Sequence, residues 1–153
     1  MSSSNSIKIW GPSVWKFLHT IVEKIQEDQF QSIHLKLFQF VKKIGGLLPC
    51  PTCALHASSY LNKINGQTLT TKSQFKMMLF EFHNQVNKNK KLPLFEEKDL
   101  EQYQQYSLHD VVQQFINAFH TRHNMAQLNQ SFHRRRLIKE LVDWLQQNRS
   151  IFM

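Results

Sequence analysis

Two cysteines separated by two residues are the first feature of this sequence that could carry chemistry. They lie in "LLPCPTCALHASSYL", residues 47–61, and the 153 residues contain no other cysteine. Pro51 suits the first turn of a helix, because its missing N–H would be unpaired there. Cys50 is therefore predicted at the N-cap and Cys53 in the first turn, where unpaired N–H groups and the helix dipole favour thiolates. This pattern indicates a redox pair for thiol–disulfide exchange.

A Cys-x-x-Cys pair is also half of a tetrahedral zinc site. His56 would be a third ligand, since it follows Cys53 by three residues. His120 and His123 have a suitable spacing between them, but they lie far beyond zinc-finger spacing from the cysteines. A zinc site is therefore the less favoured interpretation, and a thioredoxin-like fold would need alternating strands that the sequence lacks.

Histidines at helical spacing suggest a pocket near the cysteines. His19 follows Trp15 by four residues, and His83 and Asn87 are also four residues apart, so each pair shares a helix face. A lone histidine is more often structural than a ligand. Several such groups beside a redox pair can line a pocket for a flat anionic molecule, with the lysines at 88, 90 and 91 near its phosphates. A flavin dinucleotide fits this description, although spacing alone does not name it.

The positive charge lies in the first part of the chain. Residues 1–95 hold 12 lysines and 4 acidic residues, whereas residues 96–153 hold 7 basic and 7 acidic residues. The absence of arginine from the first part makes nucleic acid an unlikely partner. A solvated lysine-rich face, an anionic cofactor and an acidic partner remain open. The chain has neither a secretory leader nor a membrane-length apolar run, which predicts a soluble, cytoplasmic protein.

Elements that could position these residues are all predicted to be helices. Glycine and proline number only 4 each, and apolar residues recur at three- and four-residue spacing. Four helices are predicted over 12–27, 30–44, 50–64 and from Thr71 or Ser73 to the lysines before Pro93. Pro12 would start the first, and Gly45-Gly46 would end the second. Two further helices are predicted over 108–123 and 131–147, with a boundary between 96 and 107.

Three motifs give the sequence a family resemblance. "WGPSVWKFLHTI" resembles the W-G-x-x-x-W-x-x-x-H opening of the Erv/ALR family of FAD-dependent sulfhydryl oxidases. "LPCPTCALHASSYL" resembles its C-x-x-C-x-x-H segment, and "FHNQVNKNKKLPLF" resembles its H-N-x-V-N signature with a trailing basic stretch and Pro-x-Phe. The motifs occur in the family's order over residues 10–95. Each motif is weak alone, but the ordered set is specific.

The resemblance implies an all-α fold, a four-helix bundle enclosing FAD, followed by additional C-terminal helices. Residues 1–107 would be the FAD-binding oxidase bundle and 108–153 a helical extension of unknown role. Electrons would pass from protein thiols through Cys50 and Cys53 to FAD and then to oxygen, giving hydrogen peroxide. Cys50 would exchange with the substrate and Cys53 would lie beside the flavin. The family's FAD contacts correspond here to Gly11, Trp15, His19, His56, Tyr60, His83, Asn84, Asn87 and Lys90 or Lys91.

The sequence also departs from the family's cellular members, which carry a shuttle cysteine pair and a second structural disulfide. The small enzymes of large cytoplasmic DNA viruses tend to have as few cysteines as this sequence. The resemblance therefore implies a viral member acting in the host cytoplasm or virion. Substrate thiols would then attack Cys50 directly. The family tendency predicts a homodimer. The alternative function is a basic helical module that binds nucleic acid or an acidic protein, with a passive or zinc-bound cysteine pair.

The C-terminal extension is predicted to pack through apolar residues and to support self-association rather than catalysis. Its two helices are too short to be stable alone. Arg134, Arg135 and Arg136 begin the second helix, where positive charge opposes the dipole, and are expected to form a solvated surface. The residues predicted to pack are Phe115, Phe119, Leu137, Leu141 and Leu145.

Overall fold

The protein is described by a computed structural model that covers residues 3–119 and 128–153, with side chains from residues 10–119 and 130–153. No β-strand occurs in these ranges, which confirms the all-α prediction. A 3-10 segment, Glu97–Gln104, precedes the last two helices. The helices are α1 (Ser3–Lys24), α2 (Phe30–Gly46), α3 (Pro51–Leu61), α4 (Lys72–Asn89), α5 (Leu108–Phe119) and α6 (Leu128–Gln147).

Two of the predicted helix boundaries are wrong. Helix α1 begins at Ser3, so Pro12 lies inside the helix. A proline removes one backbone donor, but the preceding residues can still be helical. Helix α2 continues through Gly46. A Cβ on Gly45 would lie 3.0 Å from Leu61 and 3.3 Å from Ala57, so this glycine allows α3 to approach α2 closely.

The other helix boundaries follow the sequence more closely. Thr71 caps α4 by accepting from the N–H of Gln74, whose side chain accepts from the N–H of Thr71 in return. Helix α5 begins at Leu108 as predicted, and the part of that prediction beyond residue 119 lies outside the described residues. Within the described ranges, no helix is both long and apolar enough to cross a bilayer.

The core forms around α1 and α2. Helix α1 packs against α4 and α5, and α2 packs against α3 and α6. The rings of Phe17 and Phe115 stack with centroids 4.5 Å apart, and those of Phe40 and Trp144 lie 5.4 Å apart. These contacts attach both C-terminal helices to the earlier ones. The finer prediction, a four-helix bundle enclosing FAD, stays a prediction.

The C-terminal helices bury the face that the sequence predicted. Four of the five predicted packing residues are buried, namely Phe115, Phe119, Leu137 and Leu141, and Leu145 is half-buried. The chain end also pairs with α1, because the N–H of Met153 donates to the carbonyl of Lys24 at 2.6 Å. The apolar faces of α5 and α6 are thus covered within one chain.

The arginine run at the start of α6 is not one solvated surface. Arg135 and Arg136 are exposed as predicted, but Arg134 is only 2% exposed. Its guanidinium donates to the carbonyl of Leu47 at 3.2 Å and to the hydroxyl of Ser131 at 3.3 Å. The prediction was wrong for Arg134, because a delocalised guanidinium is weakly hydrated and can be buried where backbone acceptors are in reach.

Candidate functional site

The cysteine pair lies at the N-terminus of α3, as the sequence predicted. Cys50 is the N-cap residue and Pro51 is the first helical residue. The sulfur of Cys50 accepts a hydrogen bond from the backbone N–H of Cys53 at 3.3 Å. The two sulfurs lie 2.6 Å apart, and both side chains are half-buried. Negative charge on the Cys50 sulfur would therefore be stabilised by a helix N-terminal donor and by the Cys53 thiol.

The two sulfurs have different surroundings. Burial, together with the hydrogen bond to Cys50, raises the pKa of the Cys53 thiol to about 11, and the ammonium of Lys90 opposes this shift. The expectation that the helix N-terminus keeps both sulfurs as thiolates is therefore wrong for Cys53. Desolvation of the charged form outweighs the dipole there. In the reduced pair, Cys53 holds its proton at neutral pH and donates to Cys50.

An aromatic cluster joins α1 to α4. The rings of Trp15 and His83 stack with centroids 4.0 Å apart and planes 7° apart. Nε2 of His19 lies 3.0 Å from Nδ1 of His83, so one ring donates a hydrogen bond to the other. Phe95 stacks on His83 at 4.9 Å, and Tyr103 stacks on His19 at 4.5 Å. The helical spacing predicted faces for His19 and His83, and the packing of α1 on α4 brings these faces together.

Both histidines of the cluster are neutral at physiological pH. Burial, with a smaller contribution from His83, lowers the pKa of His19 to about 3. Burial lowers the pKa of His83 to about 4. Each neutral imidazole has one N–H donor and one acceptor nitrogen. The hydrogen bond between the two rings uses the donor of one ring and the acceptor of the other. The cluster is consequently a flat, uncharged aromatic surface inside the fold.

The two asparagines of the H-N-x-V-N motif hold the segment that follows α4. The side chain of Asn84 donates to the carbonyl of Phe95 at 2.9 Å and accepts from its N–H at 2.7 Å. Asn87 donates from its side chain to the carbonyl of Pro93 at 3.3 Å. Lys91 makes the turn, with a φ of 58°. These bonds return the chain so that Phe95 lies against His83.

The remaining predicted site residues lie on α1, on α3 and directly after α4. Gly11 is buried on α1, and Tyr60 is half-buried with its ring 5.3 Å from that of Phe82. His56 and Lys91 are exposed. The ammonium of Lys90 lies 5.7 Å from the centroid of the Trp10 ring, and its charge acts on Cys53. Lys90 therefore connects the cysteine pair to α1.

Three residues of the site were not predicted, namely Trp10, Phe95 and Tyr103. Phe95 belongs to the Pro-x-Phe that ends the third motif, so a sequence signal existed for it. Tyr103 lies in a glutamine-rich 3-10 segment that shows no periodicity, and only the fold brings it to His19. Trp10 directly precedes Gly11, and its burial at 4% exposure is a property of the packed structure.

The residues present fit a flat anionic cofactor. The indole N–H of Trp10 is buried and has no acceptor among the described residues. A buried donor without a partner is costly, and a ligand acceptor would remove this cost. The Trp15–His83 stack supplies aromatic surface, and Lys90 supplies positive charge beside Cys53. In the described part of the chain, no group of three or more His, Cys, Asp or Glu side chains could hold a metal ion.

Comparison with known proteins is consistent with these features. Residues 12–106 match a family described as Erv1 / Alr. An FAD-linked sulfhydryl oxidase of African swine fever virus is 36% identical over 85 residues, 54% of this chain and 71% of the relative. The 347L protein of Invertebrate iridescent virus 6 is 33% identical over 95 residues, 58% of this chain and 86% of the relative.

A cellular relative matches over a similar region. The FAD-linked sulfhydryl oxidase ERV2 of Saccharomyces cerevisiae is 26% identical over 86 residues, which cover 56% of this chain and 43% of the relative. The family match contains both cysteines, both stacked histidines and Phe95, whereas α5 and α6 lie outside it.

Proposed function

The chain belongs to the Erv1/Alr family, and from this premise we propose that it is an FAD-linked sulfhydryl oxidase that forms disulfides in proteins. One observation carries the proposal: a half-buried cysteine pair lies at a helix N-terminus, and the charge of Lys90, which also lies over the Trp10 ring of α1, acts on Cys53. A passive or zinc-bound pair would not require this lysine.

The cysteine pair performs the thiol chemistry in two exchange steps. A substrate thiolate attacks the Cys50 sulfur of the oxidised pair, the Cys50–Cys53 bond breaks, and Cys53 leaves as a thiolate. The second substrate thiolate then attacks the substrate sulfur of the mixed disulfide and releases Cys50. The substrate leaves as a disulfide, and the pair has gained two electrons. Lys90 stabilises the leaving Cys53 thiolate, which then takes up a proton because the pKa of this thiol is about 11.

FAD is the cofactor that the family and the site imply. When bound, FAD would supply the redox chemistry, as the acceptor of the two electrons of the reduced pair and their donor to molecular oxygen, with hydrogen peroxide as the product. Trp15 and His83 would offer it a stacking surface, Lys90 a positive charge and Trp10 a hydrogen-bond donor. The His19–His83 pair itself carries no charge at neutral pH.

The wider set of FAD contacts also stays part of the proposal. It comprises Gly11, His56, Tyr60, Asn84, Asn87 and either Lys90 or Lys91. Asn84 and Asn87 would act in part by holding Phe95 over His83, since their side chains bond to the backbone of residues 93–95.

The proposal extends to organisation and setting. We propose that residues 1–107 bind the cofactor and that 108–153 form an extension packed on α1 and α2. The substrates are thiols of proteins, oxygen is the electron acceptor, and the working form is a homodimer. The resemblance to enzymes of large cytoplasmic DNA viruses supports action in the host cytoplasm or in the virion. Light scattering of the purified chain tests the dimer.

The test of the function is the absorption spectrum of the purified protein together with an oxygen electrode. We expect a yellow protein that consumes oxygen when dithiothreitol is added, and a partial return of that oxygen when catalase follows. A colourless protein that consumes no oxygen but binds nucleic acid or an acidic protein would instead support a basic binding module.

A further inference from the structure

A groove of about 300 Å³ lies beside the cysteine pair, on a side of α3 that the site described above does not use. Pro51, Leu55 and Ser58 line it and share one face of α3, because they follow one another at helical spacing. Leu48, which precedes the helix, lines the groove as well. Arg134 of α6 lines the groove as well, so the family-matched part of the chain and the extension build it together.

The floor of the groove is apolar and uncovered. Leu55 is 68% exposed, although leucine is more often buried in a folded protein. Leu48 and both prolines that flank Cys50 also line the groove. An occupant with an aliphatic side chain would bury this surface, and the burial would favour binding.

The groove carries positive charge and no negative charge. None of the residues that line it is acidic. Arg134 bonds to the carbonyl of Leu47 and the hydroxyl of Ser131, and no carboxylate among the described residues pairs with it. Arg135 and Arg136 follow it and are exposed. The positive charge of Arg134 would attract an anionic group of a molecule bound in the groove.

The position of the groove in the fold indicates which kind of molecule binds in it. Pro49 and Pro51, the two neighbours of Cys50 in the chain, both line it. In the exchange steps proposed above, a substrate cysteine reacts at Cys50, so the substrate segment next to this cysteine is the occupant that the position of the groove favours.

Resting on the oxidase function proposed above, we propose that this groove binds the segment of the protein substrate next to its reactive cysteine. An aliphatic side chain of that segment contacts Leu55, and an acidic residue is drawn towards Arg134. Since α6 lies outside the family match, this substrate preference depends on the chain's own extension.

The test measures capture by Cys50, which needs no cofactor. In a Cys53→Ser variant, the Cys50 thiolate attacks a peptide cysteine activated as its mixed disulfide with thionitrobenzoate. The peptide–thionitrobenzoate bond breaks, a Cys50–peptide disulfide forms, and the coloured thionitrobenzoate anion is released. Two peptides are compared that are identical except for Leu-Asp or Ser-Lys beside the cysteine. We expect the Leu-Asp peptide to react about tenfold faster, the effect of burying roughly half a leucine side chain.

Two matched surface variants test whether the peptide preference arises at the groove. Leu55→Asp should abolish the preference, because it removes the apolar contact and adds a like charge opposite the peptide's acid. Leu35→Asp is the control, since Leu35 is 48% exposed on α2 and lies about 16 Å along that helix from Gly46 at the groove. The preference should persist in this variant. Both substituted leucines are exposed, so both proteins should fold.

The outcomes separate the groove from the oxidase function. Equal capture of both peptides by a protein that oxidises dithiothreitol would overturn the groove and leave the oxidase intact. A colourless protein that oxidises no dithiol would overturn both. If Leu55→Asp, but not Leu35→Asp, halved the molar mass in light scattering, the groove would be a self-association surface and the substrate proposal would be wrong.

Discussion

The cysteine site and the C-terminal extension both bury aromatic rings, but the rings at the site include polar ones, whereas those of the extension are apolar. Around the site, Trp15 stacks on the polar ring of His83, and the N–H of Trp10 is left without an acceptor among the described residues. In the extension, Phe115 stacks on Phe17 and lies 4.9 Å from Phe119, all three rings fully apolar. Burial of polar rings costs desolvation, whereas burial of apolar rings stabilises the fold.

This difference indicates that the cysteine site, and not the extension, is organised to bind a ligand. The lowered pKa values of His19 and His83 measure the cost of burying rings that could otherwise be protonated. The extension shows no such cost at Phe115 or Phe119. Helix α1 connects the two regions, because it carries Trp15 and His19 towards α4 and Phe17 towards α5. Substitutions that weaken the packing of the extension should therefore also disturb the site, because both regions pack on α1.

The largest effect is expected from the cysteines, which belong only to the site. Cys50→Ser and Cys53→Ser should each abolish dithiothreitol oxidation, because either change removes half of the exchanging disulfide. Flavin content and thermal unfolding should stay close to those of the wild type, because serine is nearly isosteric. An oxygen electrode and the flavin spectrum measure both properties. Substantial turnover by Cys50→Ser would contradict the assignment of Cys50 as the substrate-facing sulfur.

The next effect concerns the extension. Phe115→Ala should lower the free energy of unfolding by about 3–5 kcal/mol, the usual cost of emptying a packed phenylalanine site. Its neighbour Gln114 is exposed, so Gln114→Ala is the matched control and should change stability by less than about 0.5 kcal/mol. Urea denaturation measures both variants. A stable Phe115→Ala protein would show that the extension folds independently of α1.

Truncation after residue 107 sharpens the same comparison. It removes Phe115 and Trp144, and so uncovers Phe17 and Phe40. We expect a less stable protein that retains less flavin, because α1 loses its support. If the truncated chain kept its flavin and dithiol turnover but changed its molar mass in light scattering, the extension would serve self-association alone.

Acid should destabilise the site through its two histidines. The unfolded chain binds protons with pKa values near 6.5, whereas the folded values are about 3 for His19 and about 4 for His83. The stability contributed by their neutral state is present above 6.5 and is lost as the pH falls through this range. The slope is about 1.4 kcal/mol per pH unit for each histidine, and urea denaturation at several pH values measures it.

A substitution at His83 tests whether the pH dependence of the free energy of unfolding comes from the aromatic cluster. His83→Phe keeps a flat ring against Trp15 and should remove about half of the slope, because one of two titrating groups is lost. A slope that persists in His83→Phe would locate the acid sensitivity elsewhere in the fold.

The smallest effect is expected at Lys90. Its charge opposes the rise in the pKa of Cys53, so Lys90→Met should raise this pKa further. In a Cys50→Ser background, iodoacetamide should then alkylate Cys53 about threefold to tenfold more slowly at a fixed pH. Lys88 is exposed near the end of α4, and Lys88→Met is the control. Equal rates in both variants would exclude Lys90 as the cation of the pair.

Much of the fold and part of the site were predictable because they depend on local physics. Pro51 and the helix N-terminus decide where Cys50 lies, and Thr71 with Gln74 caps α4. The spacing of Trp15 and His19 sets their shared face. Gly45 was misinterpreted, because glycine ends helices in general, and its use for close packing against α3 depends on a distant partner.

The sequence by itself determined the helical class, the cysteine pair at a helix N-terminus and the three motifs of the family. These follow from spacing and from the chemistry of single side chains, which act over a few residues. Only the tertiary structure decided that His19 bonds to His83, that Tyr103 stacks on His19 and that Arg134 is buried and bonds to the carbonyl of Leu47. These contacts join residues far apart in the chain. Their energies depend on desolvation by the assembled fold, which no local pattern specifies.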